Sequence, residues 1–226
     1  MYKVKKILLS LSLLLWANMT LAGSQYEVTI TNITKGQTFT PQFVAIHDRT
    51  IQIFDVGGAA SDELEILAES GDTGPLTDLL STKPRHIGEM ATIPGLLEPG
   101  KSASVIVNAN SRHRYLSFAA MLIPTNDTFV GLRGVRLPRH GQRTYTALGY
   151  DAGTEANDQN CVHIPGPRCG GEGLSVEKSD QDEGFIYVSN GFHDLGSQDD
   201  AENEILGPLV YDWRNPIARI NIQRLR

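Results

Sequence analysis

The chain has little cysteine, no apolar run of membrane-spanning length and few of the short motifs that mark the common catalytic folds. Its two cysteines, Cys161 and Cys169, can pin one loop but are too few to decide the fold of 226 residues. No apolar stretch reaches the roughly 18 to 20 residues that a bilayer-crossing helix needs, so the mature chain is expected to be soluble. The absence of a G-x-S-x-G elbow, an H-E-x-x-H pair and a G-x-G-x-x-G turn after a strand removes several of the usual signatures of enzymes. Internal repeats, heptad runs and long low-complexity linkers are missing too, which favours one domain.

What is present begins with an export signal. Lys3, Lys5 and Lys6 precede an apolar run from Ile7 to Trp16, and Thr20, Leu21 and Ala22 follow. A basic start, a short apolar stretch and a small-residue end predict a signal peptide over residues 1–22, cleaved after Ala22. No lipobox cysteine stands near that site, which argues against a lipid anchor. Removing the three lysines moves the formal net charge from −6 to about −9. An acidic chain repels phosphate backbones and anionic lipid, so cations are expected partners and nucleic acid is not. Residues 23–226 are read as one domain outside the cytoplasm, in the periplasm or beyond.

In an exported chain, Cys161 and Cys169 predict a disulfide. Zinc is the weaker reading, because Cys161, His163 and Cys169 supply three ligands where structural zinc takes four. Strand patterns dominate the remainder. Tyr26 to Ile33 alternates β-branched and polar residues, and Phe39–His47, Ile51–Phe54, Ser102–Asn108, Tyr115–Ile123, Phe185–Ser189 and Ile217–Leu225 read as strands as well. In the last, Ala218, Ile220 and Ile222 should face one way and Arg219, Asn221 and Gln223 the other. Many short strands between Gly, Pro and Asn turns predict a mainly β, antiparallel sandwich. One insertion is helical. Ser61–Glu69 opens on a Ser/Asp cap and repeats Leu64, Leu67 and Ala68 at helical spacing, Gly71 ends it, and Thr77–Ser81 forms a second short turn. These helices are expected to pack across one end of the sandwich.

The runs FVAIHDRTIQIFDVGGAASDELEILAESGDTGPL, PGKSASVIV, PTNDTFVGLRGVRLP, TYTALGYDAGTE and PIARINIQRLR, in that order, resemble the spondin domain of F-spondin and mindin. They resemble still more its stand-alone bacterial versions. The resemblance implies a C2-like β-sandwich with a calcium site at one end. It places the ligands on Asp127, just before a Phe-Val-Gly strand, and on Asp151 and Glu155 at the two ends of an Asp-Ala-Gly-Thr-Glu turn. Glu155 stands where the family carries Asp, which moves that carboxylate by a methylene.

Elementary chemistry points the same way. Calcium takes six to eight oxygens at roughly 2.3 to 2.6 Å, and a glycine between two acids permits a turn that aims both at one point. Converging carboxylates repel one another unless a cation joins them. SDQDEG (179–184) and SQDDAENE (197–204) are dense in acids but lack the EF-hand pattern. They read as solvated loops, with Asp182, Glu183 and Asn190 as outside candidates for a peripheral cation. His47-Asp48 and His193-Asp194 could in principle join Ser61 or Ser189 in a triad, although chance adjacency explains them better.

The sequence thus predicts a secreted, non-catalytic recognition or adhesion module with calcium and an unidentified protein or glycan ligand. Tyr150 and Trp213 are candidate anchors, with core packing as the alternative for both. An envelope protein that calcium merely stabilises, or an unrecognised hydrolase, are the competing readings. Asn32 and Asn126 begin N-glycosylation triplets, read as coincidental in a bacterial-looking chain.

Overall fold

The computed structural model describes residues 23–171, 173–174 and 182–226. The segment read as a signal peptide and residues 179–181 of the first acidic stretch lie outside the described residues. The chain forms an antiparallel sandwich, as its pattern predicts. Its strands are β1 (Ser24–Asn32), β2 (Thr38–Phe39), β3 (Gln42–His47), β4 (Ile87–Ile93), β5 (Ser102–Ala109), β6 (Tyr115–Ile123), β7 (Thr128–Arg136), β8 (Gln142–Asp151), β9 (Tyr187–Val188) and β10 (Ala218–Arg224). The ladder runs β4-β3-β6-β7-β8-β10-β1-β5, with β2 on β6 and β9 on β8. Its two outer strands approach each other, and Glu89 on β4 accepts a hydrogen bond from the Asn108 amide of β5 (2.7 Å). That contact satisfies an edge donor.

The sheet folds over an apolar centre. Val28, Ile30, Val107, Phe118, Leu122, Val130, Ile220 and Ile222 meet inside it, and β10 alternates with Ala218, Ile220 and Ile222 inward as expected. A second cluster lies on the outer face of β3, β6 and β7, under two helices: α1 (Asp62–Ser70) and α2 (Gly74–Ser81). The Ser61 hydroxyl caps α1 by accepting from the Leu64 amide, and Gly71 closes it in the left-handed conformation (φ 74°). Leu64, Leu67, Leu76 and Leu80 pack with Phe43, Ala45, Ala119 and Phe129. The helices therefore cover a sheet face and not an end of the sandwich. That is why β3 and β6 are buried along nearly their whole length instead of alternating.

Other differences have local causes. The expected strand Phe39–His47 is split at Pro41, which has no amide to give the ladder, and Thr40 bonds Met121 instead (Met121 N to Thr40 Oγ1, 3.0 Å). Ile51–Phe54 is no strand; Ile53 and Phe54 are buried as a loop in the helical cluster. Phe185–Ser189 keeps only Tyr187–Val188 as strand. One short helix, α3 (Pro208–Tyr211), was not expected.

The strand directions place every element at one of two ends. At one lie the start of β7 and the close of β6 and β8, at Thr128, Ile123 and Asp151. At the other lie Arg136, Tyr115, Gln142 and Arg224, with Ser24 and Ala109 beside them.

Candidate functional site

The first end gathers carboxylates. Thr128 pairs with Asp151 in the β7–β8 ladder, so Asp127 and Asp151 sit side by side because the register puts them there. The turn after Asp151 returns beneath Asp127 and presents amides to it. Asp127 Oδ2 accepts from Thr154 N (2.7 Å), Thr154 Oγ1 (3.2 Å) and Glu155 N (3.1 Å). Gly153 makes this return possible. It holds φ +68°, its amide donates to Asp151 Oδ1 (2.9 Å), and a Cβ there would overlap the Phe185 backbone. Asn126 ties down the next turn, donating to Asp158 (3.0 Å) and accepting from the Gln159 amide (3.3 Å).

The electrostatics are those of charge withheld from water. Asp127 is 0% exposed, and its second oxygen, Oδ1, is buried with no hydrogen-bond partner among the described residues. Burial, then the neighbouring Asp151 charge, push its carboxyl well above the usual range, against the Thr154 and Glu155 amides and with a further rise from the Glu155 charge. Burial also raises Asp151, to about 6; Asn157 and Tyr187 oppose the rise, while Glu183 adds to it. Tyr187 donates to Glu183 (2.9 Å), and burial with these acidic neighbours raises its phenol strongly.

The expected residues thus meet in part. Asp127 and Asp151 are neighbours, and Glu155 is buried beside them and reaches Asp127 through its backbone amide. Among the described residues no group of three or more His, Cys, Asp or Glu side chains is arranged as a ready metal cage. Glu183 approaches Asp151, whereas Asn190 is exposed. Thr154, Asn126 and Asn157 carry no charge, and the sequence marks none of them as part of a site: Asn126 reads there only as a glycosylation triplet and Thr154 only as the interior of the turn. Their contacts are long-range, as in the Asn126 bonds to Asp158 and Gln159, and leave no local signal.

The Cys161–Cys169 disulfide is present. Tyr150 is half-buried and packs its ring at a tilt against Phe54 (4.9 Å) and Phe129 (5.7 Å), and Trp213 packs on Phe192 (5.7 Å), so neither is a free anchor. Both sequon asparagines are buried; Asn32 donates to the Gln37 and Leu97 carbonyls. His47 is enclosed between the Asp48 carbonyl (2.6 Å) and Ser117 Oγ (2.8 Å), while the Asp48 carboxylate turns to Thr50 and His86. Ser61 is a helix cap, and Ser189 Oγ accepts from the Gly191 amide. No Ser-His-Asp geometry arises from these pairs.

Among the described residues no helix is long and apolar enough to cross a membrane. No curated protein matches the chain. The Spondin_N family model matches residues 15–159, a span that includes Asp127, Asp151, Glu155 and the whole ladder from β1 to β8. With that match over more than half of its length, the chain belongs to the spondin N-terminal domain family.

Proposed function

We propose that the protein is an exported, non-catalytic recognition module whose acidic end binds calcium through Asp127, Asp151 and Glu155. The observation that carries this reading is Asp127 Oδ1, a fully buried carboxylate oxygen with no hydrogen-bond partner among the described residues, beside a second buried aspartate. An ionised carboxylate in that position is costly unless a proton or a cation joins it. Calcium fits the donor set, since it accepts carboxylate, backbone carbonyl and water oxygens together and needs no three-carboxylate cage. When bound, the ion supplies the positive charge that lets both aspartates ionise. The protein's own part is to hold Asp127 with the Thr154 and Glu155 amides and so fix the 151–160 turn as a surface. The disulfide in the adjoining loop fits an oxidising compartment, and the match to spondin domains supports a role in contacts with a protein or glycan outside the cytoplasm.

Melting in calcium, magnesium and chelator tests the site. A ligand at a hundred times its Kd stabilises by about 2.7 kcal/mol, roughly 5 to 10 °C for a domain of this size. That rise should be specific to calcium and absent from an Asp127→Asn, Asp151→Asn protein. Identical melting of both proteins in every buffer overturns the reading.

A further inference from the structure

The opposite end of the sandwich carries a charge pattern that the net charge conceals. Between Ser102 and Tyr150 there are six arginines and one carboxylate, Asp127; between Asp151 and Glu204, thirteen carboxylates stand against one arginine and one lysine. Of those six arginines, five belong to the β5–β6 and β7–β8 connections or the strand ends beside them; Arg224 closes β10 at the same end, and Arg226 follows it. Two carboxylates on the neighbouring β3 and β4 strand ends are already used: Asp48 bonds Thr50 and His86, and Glu89 takes the Asn108 amide.

These connections enclose a cavity of about 220 Å³, lined among others by Arg114, Arg136, Arg139, Arg224, Ser24 and Ser111. Its walls are built before any ligand arrives. The Leu137 amide donates to the Arg114 carbonyl (2.9 Å) and joins the two connections. Arg224 donates to the Arg139 carbonyl and, through Nε, to that of Arg226 (3.1 Å). Tyr26 closes the floor and donates to the Pro138 carbonyl (3.1 Å). Yet Arg114, Arg136 and Arg139 donate no side-chain hydrogen bond and meet no carboxylate among the described residues. Several positive forks around one concavity repel one another, and this arrangement serves stability poorly. It suits a tetrahedral oxyanion, which planar guanidinium groups bind through paired donors.

We propose that this cavity binds a phosphate or sulfate monoester of a small sugar. The arginines would hold the oxyanion. The hydroxyls of Ser24 and Ser111, without a hydrogen-bond partner among the described residues, suit sugar hydroxyls, and the volume is several times the roughly 30 Å³ share of one water, leaving room for the group that bears the anion.

Calorimetric titration of the protein at low ionic strength with glucose 6-phosphate, inorganic phosphate, inorganic sulfate and glucose tests this. Glucose 6-phosphate should bind, more tightly than either inorganic ion, and glucose should not. Arg114→Gln with Arg139→Gln should weaken binding at least about tenfold, Arg139→Lys less, and added salt should weaken it in the wild type. An unchanged melting temperature of the double variant shows that its fold survives, and the salt series needs no variant. Absence of binding by all three anions, affinity untouched by the arginine substitutions, or inorganic phosphate binding as tightly as its ester would each overturn the proposal.

Discussion

The two ends of the sandwich treat charge in opposite ways. At the acidic end Asp127 and Asp151 are withdrawn from water and held by backbone amides, a left-handed glycine and asparagine side chains. At the arginine end Arg114, Arg136 and Arg139 remain exposed and are borne on short connections tied together by main-chain bonds. Burying a charge demands a dedicated scaffold because the lost hydration must be offset group by group. Keeping it hydrated demands only position. The acidic end therefore depends on backbone geometry, and the arginine end on which side chains happen to be there.

The largest expected effect follows from that difference. Gly153→Ala should cost about 2 to 4 kcal/mol, since it combines an unfavourable φ with overlap of the Phe185 backbone. Urea unfolding would measure it, and the Arg114→Gln, Arg139→Gln protein in the same series should stay close to wild type. A loss as large in the arginine variant would erase the distinction between the ends. Next comes the disulfide: replacing Cys161 and Cys169 by serine should lower stability by about 2.5 kcal/mol through the entropy of the opened loop, read as a lower denaturation midpoint.

The smallest effect is on pH. Asp127 and Asp151 hold their protons more tightly folded than unfolded, so without metal their contribution to stability is full below the unfolded carboxylate range near 4. It is lost as pH rises through the folded value of Asp151, about 6. The calcium-free protein should melt a few degrees lower at pH 7 than at pH 5, a gap that Asp127→Asn narrows and calcium closes. Equal gaps in Asp127→Asn and wild type would assign the effect to other groups.

Much of the fold is legible in the sequence where one face of an element meets water. The alternation of β1 and β10 and the Ser61 and Gly71 caps of α1 are examples. Legibility fails where tertiary packing replaces the local pattern. β7 carries Gly131 in mid-strand because a Cβ there would meet the Phe54 ring at 2.8 Å, so its glycine reads as a break. β8 is exposed over its first half, and β4 shows no alternation. Ile53 and Phe54 look like a strand because they are apolar, but they serve the helical layer. In the site, the acidic residues were visible as letters. The amides that cradle Asp127 belong to every residue and have no letter of their own. The arginine cavity was hidden for another reason: a net charge sums over the chain and discards where each charge lies.

Strand β7 joins the two ends, from Thr128 beside Asp127 to Arg136 in the cavity. Eight steps of extended backbone span roughly 26 Å, about three screening lengths at physiological salt. A paired strand has no second conformation to pass along, and ions so far apart scarcely sense each other. Cation and oxyanion should therefore bind additively: the thermodynamic cycle for loading one in the presence of the other closes with a coupling near zero. On the two proposals together, a cation-dependent contact at one pole and an anionic sugar at the other would be two independent grips on a rigid spacer.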